Sequence, residues 1–156
     1  MKHKFDYDEI KNLIKSTSKE TSVFVGTDSQ IFGRSITFCT VIVVHFDNKH
    51  GSKIFKQILS INKKMTIMEK LLKEVEFTIE ACLEIESSAN IYNSDGKMLC
   101  ERLIPHVDIN PDKRYKSSIA YHTAKGWLEG HGLKPVFKPH AAIASHCADN
   151  FLRKSM

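Results

Sequence analysis

Val23-Phe24-Val25-Gly26-Thr27-Asp28-Ser29-Gln30 is the stretch on which the fold turns. Alternating β-branched and aromatic residues predict a short strand over 23–28, and that strand delivers one carboxylate, Asp28, to its end. Taken alone, Asp28 in Gly-Thr-Asp-Ser is equally well explained as a turn or capping residue, since aspartate side chains bond their own backbone in such places. Its neighbours along the chain decide which reading carries further.

Working outward, Ser35–Phe46 is rich in β-branched residues and predicts a long central strand beyond a Gly33-Arg34 break. Asp47-Asn48-Lys49-His50-Gly51 is turn chemistry, and Lys53–Ile61 follows as its hairpin partner. Upstream, Ile10, Leu13 and Ile14 recur at helical spacing behind Asp6 and Asp8, predicting a short amphipathic helix over 7–16. Downstream, Thr66 and Glu69 have capping-box spacing. Met68, Leu71, Leu72, Val75, Ile79, Cys82 and Leu83 then trace one face of a helix reaching about Glu86. Residues 87–100 give little pattern beyond an Asn93-Ser94-Asp95-Gly96 turn.

Arg102–Asp108 predicts a strand closed by Asn110-Pro111, and Ser117–Glu129 a helix ended by Gly130. Leu133–Phe137 predicts a short strand, and Pro139 opens a last helix over Ala141–Arg153. Three antiparallel strands followed by alternating helices and strands imply an α/β mixed sheet of five strands with helices on both faces. The 156 residues, without repeat, linker or low-complexity tract, fit one domain over 1–156, with 1–20 as an N-terminal helical extension.

Composition narrows the classes. Hydrophobic content of 42% and charged content of 26% are those of a globular protein. No run reaches the ~18 apolar residues of a membrane span, and Met1–Asp6 lacks the apolar stretch of a signal peptide, so a cytoplasmic location is expected. That setting argues against disulfides, and the wide spacing of the four cysteines, without a CxxC, argues against zinc knuckles. His140, His146 and Cys147, with Cys100 and His106, are the nearest approach to a zinc set, but the spacing is looser than paired zinc ligands show. A formal charge of +5 suits a polyanionic partner such as nucleic acid.

Three further carboxylates fall where they can join Asp28. Glu74 is on the long helix, Asp108 ends the fourth strand, and Asp149 stands among small residues on the last helix. At ~100° per residue Glu74 and Glu76 lie at opposite margins of the apolar face, so periodicity leaves both open. Asp108 ends an apolar strand, where active-site residues of such sheets collect, though turn chemistry before Asn110-Pro111 explains it as well. Four clustered carboxylates repel one another unless cations are present. Hard divalent ions are held by oxygen ligands, and a pair about 4 Å apart activates water and stabilises a leaving oxygen in phosphodiester cleavage. Lys113, Arg114 and Lys116 after Asp108, and Lys138 after the last short strand, are placed for backbone phosphates. Lys138 has a second reading, as the partner of one acid in a site that has lost its metal. Tyr115 and Trp127 are candidates for base stacking, although Trp127 on an apolar helix face reads more simply as core; Lys63-Lys64 and Lys70-Lys73 read as a solvated helix face.

The element order resembles the ribonuclease H-like superfamily. More closely, Val25–Gln30, Glu74-Val75, His106-Val107-Asp108-Ile109-Asn110, Lys116-Ser117-Ser118, Lys138-Pro139 and Ala148-Asp149 are similar to its YkuK-like branch, over roughly residues 7–152. The resemblance selects Glu74 over Glu76. It implies that Asp28, Glu74, Asp108 and Asp149 bind one or two Mg²⁺ or Mn²⁺ ions, and that the activity is a two-metal nuclease hydrolysing nucleic-acid phosphodiester bonds. It further implies that His140, before the last helix, helps release product, a placement that His146 shares. Two departures stand out: Ser87–Glu101 is longer than the family pattern, and His140 stands where that pattern has Asp or Ser. The competing expectation is a non-catalytic nucleic-acid- or partner-binding module that keeps the fold.

Overall fold

The computed structural model describes residues 4–17, 21–46, 51–87 and 103–138. Helix α1 (Tyr7–Lys15) is followed by strands β1 (Ser22–Phe32), β2 (Ser35–His45) and β3 (Ser52–Ile61), then helix α2 (Ile67–Glu86) and strand β4 (Leu103–Val107). A 3₁₀ helix (Lys116–Ala120) leads into α3 (Tyr121–Gly130), and β5 (Val136–Phe137) ends the described chain. The expected α/β mixed sheet is present, with strand order β3-β2-β1-β4-β5. The β3-β2 and β2-β1 pairs are antiparallel, and β1-β4 and β4-β5 are parallel.

Local chemistry explains these elements. Gly33, at φ +59, makes the tight reversal that lets β1 run on to Phe32, beyond the end expected at residue 28, with Phe32 opposite Ser35. Phe38–Val44 of β2 is buried without a break, and the strand has neighbours on both edges. Thr66 caps α2 by accepting the Glu69 N–H at 3.1 Å. Asp6 does the same for α1, accepting from the Glu9 N–H.

Three boundaries differ from the sequence expectation. The helix expected over 117–129 begins as 3₁₀, because the Ser117 hydroxyl is engaged outward, accepting the Asn110 N–H at 2.9 Å. The left-handed residue that ends α3 is Gly132, at φ +77, rather than Gly130, which is the last helical residue. Only Val136–Phe137 of the expected 133–137 strand pairs, since the Leu133 N–H closes α3 on the Leu128 carbonyl and Pro135 has no N–H.

The main core joins α1, α2 and α3 to one face of the sheet. Ile10 and Ile14 of α1 are fully buried there with Val23 and Val25 of β1, Val75 and Cys82 of α2, and Leu128 of α3. Trp127, expected in this core, is 42% exposed because Ala124 and Leu128 take the buried positions of α3. The helix expected at Ala141–Arg153 lies outside the described residues, as does the 88–102 stretch. Among the described residues no helix is long and apolar enough to cross a membrane.

Candidate metal centre

Strand register brings the first two acids together. In the parallel β1-β4 pair Val23 faces Leu103 and Gly26 faces His106. Two residues further on, the same register sets Asp108 beside Asp28. In the β4-β5 pair His106 faces Val136 and Val107 faces Phe137, so the next step sets Lys138 beside Asp108. The Lys138 N–H donates to the Ile109 carbonyl at 3.1 Å and holds that alignment. Asp28 in β1, and Asp108 and Lys138 one residue past the ends of β4 and β5, therefore form one row, and the Lys138 ammonium pairs with Asp108 Oδ1.

Glu74 arrives from α2. A chain of buried hydroxyls ties that helix to the sheet: Thr27 Oγ1 lies 2.9 Å from both Thr40 Oγ1 and Thr78 Oγ1, and Thr78 Oγ1 donates to the Glu74 carbonyl at 3.1 Å. Ser29, one residue past Asp28, donates its hydroxyl to Glu74 Oε2 at 2.6 Å. Ligand oxygens of Asp28, Glu74 and Asp108 lie within 4.8 Å of one another. Glu76, which periodicity left open, is the solvent-side residue: its side chain is 46% exposed and pairs with Lys73 at 3.1 Å.

Lys70, read from sequence as part of a solvated face, belongs to this site instead. It is a turn before Glu74 on α2, and its Nζ donates to Glu74 Oε2 and to Ser29 Oγ, each at 3.2 Å. The i,i+4 spacing of Lys70 and Glu74 was the available sequence signal, but it is too common on exposed helices to single out this pair. Ser29 and Thr78 were likewise not anticipated.

Electrostatics follows from burial. Glu74 is 4% exposed, and desolvation pushes its carboxyl up to about 8 from an ordinary 4.5. Lys70 and the Ser29 hydrogen bond pull it down, while the negative charges of Asp28 and Asp108 push it up. Partial burial works to lower the Lys138 pKa, but the hydrogen bond and charge of Asp108, with Asp28 and Glu74 beyond, raise it on balance. His106, two residues before Asp108, is held by burial at about 4. Its ring packs on Phe24 with centroids 4.8 Å apart, and its Nδ1 is buried with no hydrogen-bond partner among the described residues. His106, Glu74 and Asp108 line one small hollow with Thr27 and Thr78.

The donor set fits a hard divalent cation. Three carboxylates converge, and one of them is a buried acid whose charge a nearby lysine does not fully offset. Of the remaining candidates, Asp149 and His140 lie outside the described residues, as do His146, Cys147 and Cys100. Lys113, on the loop after β4, and Lys116, the first residue of the 3₁₀ helix, are exposed. Arg114 on that loop is already engaged: Asp112 Oδ2 accepts from its Nε at 3.0 Å and its Nη2 at 2.7 Å. Tyr115 is 52% exposed beside them.

Comparison with known proteins agrees with this geometry. The profile of the family described as "Ribonuclease H-like" matches residues 7–153. Neither the curated proteins nor the solved structures gave a match.

Proposed function

The chain belongs to the ribonuclease H-like family, and we propose that it is a metal-dependent nuclease that hydrolyses nucleic-acid phosphodiester bonds. The observation that carries this reading is the meeting of three acids from segments far apart in sequence within 4.8 Å. Asp28, Glu74 and Asp108 would hold the metal, with Asp149 as a fourth ligand. Bound there, Mg²⁺ or Mn²⁺ supplies an activated water and stabilisation of the departing 3′ oxygen.

The chain's own residues set the stage for that chemistry. The Thr27-Thr40-Thr78 hydroxyl chain fixes α2 against β1, so that Glu74 stands at a constant height above the strand ends. Ser29 and Lys70 orient the Glu74 carboxylate through Oε2. Lys113, Lys116 and Lys138, with Arg114 where it can leave Asp112, bind backbone phosphates and position the strand without reading its sequence. His140 assists product release.

A second reading is favoured by one observation. Lysines stand on two of the three acids, Lys70 on Glu74 and Lys138 on Asp108, as in a nucleic-acid-binding module whose acidic site no longer needs metal. Cleavage assays in Mg²⁺ and in Mn²⁺ separate the two. Labelled RNA/DNA hybrid, single-stranded DNA, duplex DNA and a four-way junction are offered to the wild type and to Asp28→Asn. Metal-dependent products that vanish in the variant establish the nuclease. Salt-sensitive binding without products in either metal establishes the module.

A further inference from the structure

We infer that the loop leaving Asp108 presents Tyr115 as a stacking platform for an unpaired base, so that the substrate of this site is a single-stranded nucleic acid. Resting on the nuclease reading above, this names its substrate class.

The loop is built to hold a side chain still in water. The Asn110 N–H donates to Ser117 Oγ at 2.9 Å, and Asn110 Oδ1 accepts the Asp112 N–H at 2.9 Å. Asp112 in turn accepts the Arg114 N–H, Nε and Nη2 through its carboxylate, and the Tyr115 N–H through its carbonyl at 3.0 Å. The Tyr115 carbonyl accepts the Ser118 N–H at 3.1 Å. Backbone is therefore pinned on both sides of Tyr115, which is itself 52% exposed. An apolar ring gains nothing from facing water. A ring already positioned there offers stacking with little further loss of backbone freedom.

Charge identifies what stacks on it. Lys113, Arg114 and Lys116 flank Tyr115 in sequence, and all three are exposed. Residues 110–138 carry five lysines and one arginine against Asp112 and Glu129, so four of the chain's five excess positive charges fall in this segment. An aromatic ring among cations fits a ligand that combines an anionic backbone with open π faces. In a duplex those faces are covered by the neighbouring base pairs, whereas in a single strand they are free. The location suits the metal centre as well. Asn110 is two residues past Asp108, Ser117 is bonded to Asn110, and Tyr115 is two residues before Ser117. Each two-residue step spans at most about 7 Å, which puts Tyr115 within roughly 20 Å of Asp108. A strand of a few nucleotides covers that span, and a base held at Tyr115 sets which phosphate meets the acids.

The test measures fluorescence anisotropy of a labelled oligothymidylate and of an abasic strand of equal length, each with the full-length chain in EDTA. The two strands share their phosphates and differ only in the bases. Wild type and Tyr115→Phe are expected to prefer the strand with bases by about tenfold, the scale of one base–aromatic stack. Tyr115→Ala is expected to lose most of that preference while binding the abasic strand as wild type does. Lys116→Ala is expected to weaken both strands alike and to lower the slope of log affinity against log salt by about 0.7. Because Tyr115 is exposed, its truncation is expected to leave the fold intact, which circular dichroism checks. Equal wild-type affinity for the two strands, or a preference that survives in Tyr115→Ala, overturns the inference. Cleavage in Mn²⁺ judges the nuclease reading separately. Duplex or hybrid cut in preference to single strands overturns the inference and leaves the nuclease standing. No cleavage of any substrate overturns the nuclease, and the base preference alone then decides whether Tyr115 stacks.

Discussion

Lys138 and Asp108 each stand one residue past the end of adjacent parallel strands, and the ammonium of the first sits on the carboxylate of the second. With Asp28 one strand further, this row gives the centre an internal cation before any ion arrives. Lys70 does the same for Glu74 from the helix above. Any divalent ion entering here shares its ligands with lysines, and the expectations below follow from that competition.

Asp28→Asn removes a negative charge that disfavours ionised Glu74. In the metal-free protein the substitution is expected to be stabilising, by about 1 kcal/mol, as is common when a functional site's strain is relieved. The same change is expected to abolish the rise in Tm that millimolar Mn²⁺ gives the wild type by mass action. Thermal melts with EDTA and with Mn²⁺ read both effects. A variant less stable than wild type in EDTA speaks against charge crowding.

The pH dependence of stability has a definite sign. Glu74 holds its proton in the folded state up to about 8 and releases it near 4.5 when unfolded. Between those values the native state binds more protons, so this contribution is present at low pH and lost as pH rises towards 8. His106 acts oppositely: folded near 4 and unfolded near 6.5, it loses stability as pH falls through that window. The two oppose each other between about 4.5 and 6.5, and Glu74 alone remains above. Urea midpoints in EDTA are therefore expected to fall from pH 6.5 to 8.5. Saturating Mg²⁺ or Glu74→Gln should flatten that fall, and Lys70→Met should extend it to higher pH.

Thr27→Val is close in volume but removes the hydroxyl that joins Thr40 to Thr78. Thr78 keeps its bond to the Glu74 carbonyl, whereas Thr40 loses a buried partner. The expected cost is about 1–3 kcal/mol, the penalty for a stranded polar group. Urea denaturation measures it. A neutral result means that the hydroxyl chain does not brace α2.

Ile10→Ala tests whether α1 is an appendage or part of the core. Ile10 is fully buried in the main cluster. Truncation there is expected to cost about 2–5 kcal/mol through lost burial and the cavity left behind. An effect below 1 kcal/mol, on the scale of surface substitutions, indicates that the helix packs loosely.

Much of this architecture is legible locally. Ser35–Phe46 reads as a long strand because β-branched residues crowd it, though β1 rather than β2 is the middle strand, and α2 reads from its apolar face and its Thr66 cap. Gly130 misled by two positions and Ser117 by four, because the closing hydrogen bond is chosen by whichever donor lies nearest in space. Trp127 misled more fully, since a tryptophan on an apolar face is core only if something covers that face.

By itself, sequence determined the order of elements and the acids worth watching, because helical and strand periods are written in near neighbours. From the residues alone it could not separate Glu74 from Glu76, and it read Lys70 as solvent-facing. Tertiary structure decided these. One register in β1-β4 and another in β4-β5 align Asp28, Asp108 and Lys138, and the packing of α2 on β1 buries Glu74 against Ser29 while leaving Glu76 in water. The physical reason is desolvation: whether a charge is functional depends on what excludes water from it, and here those groups lie dozens of residues away.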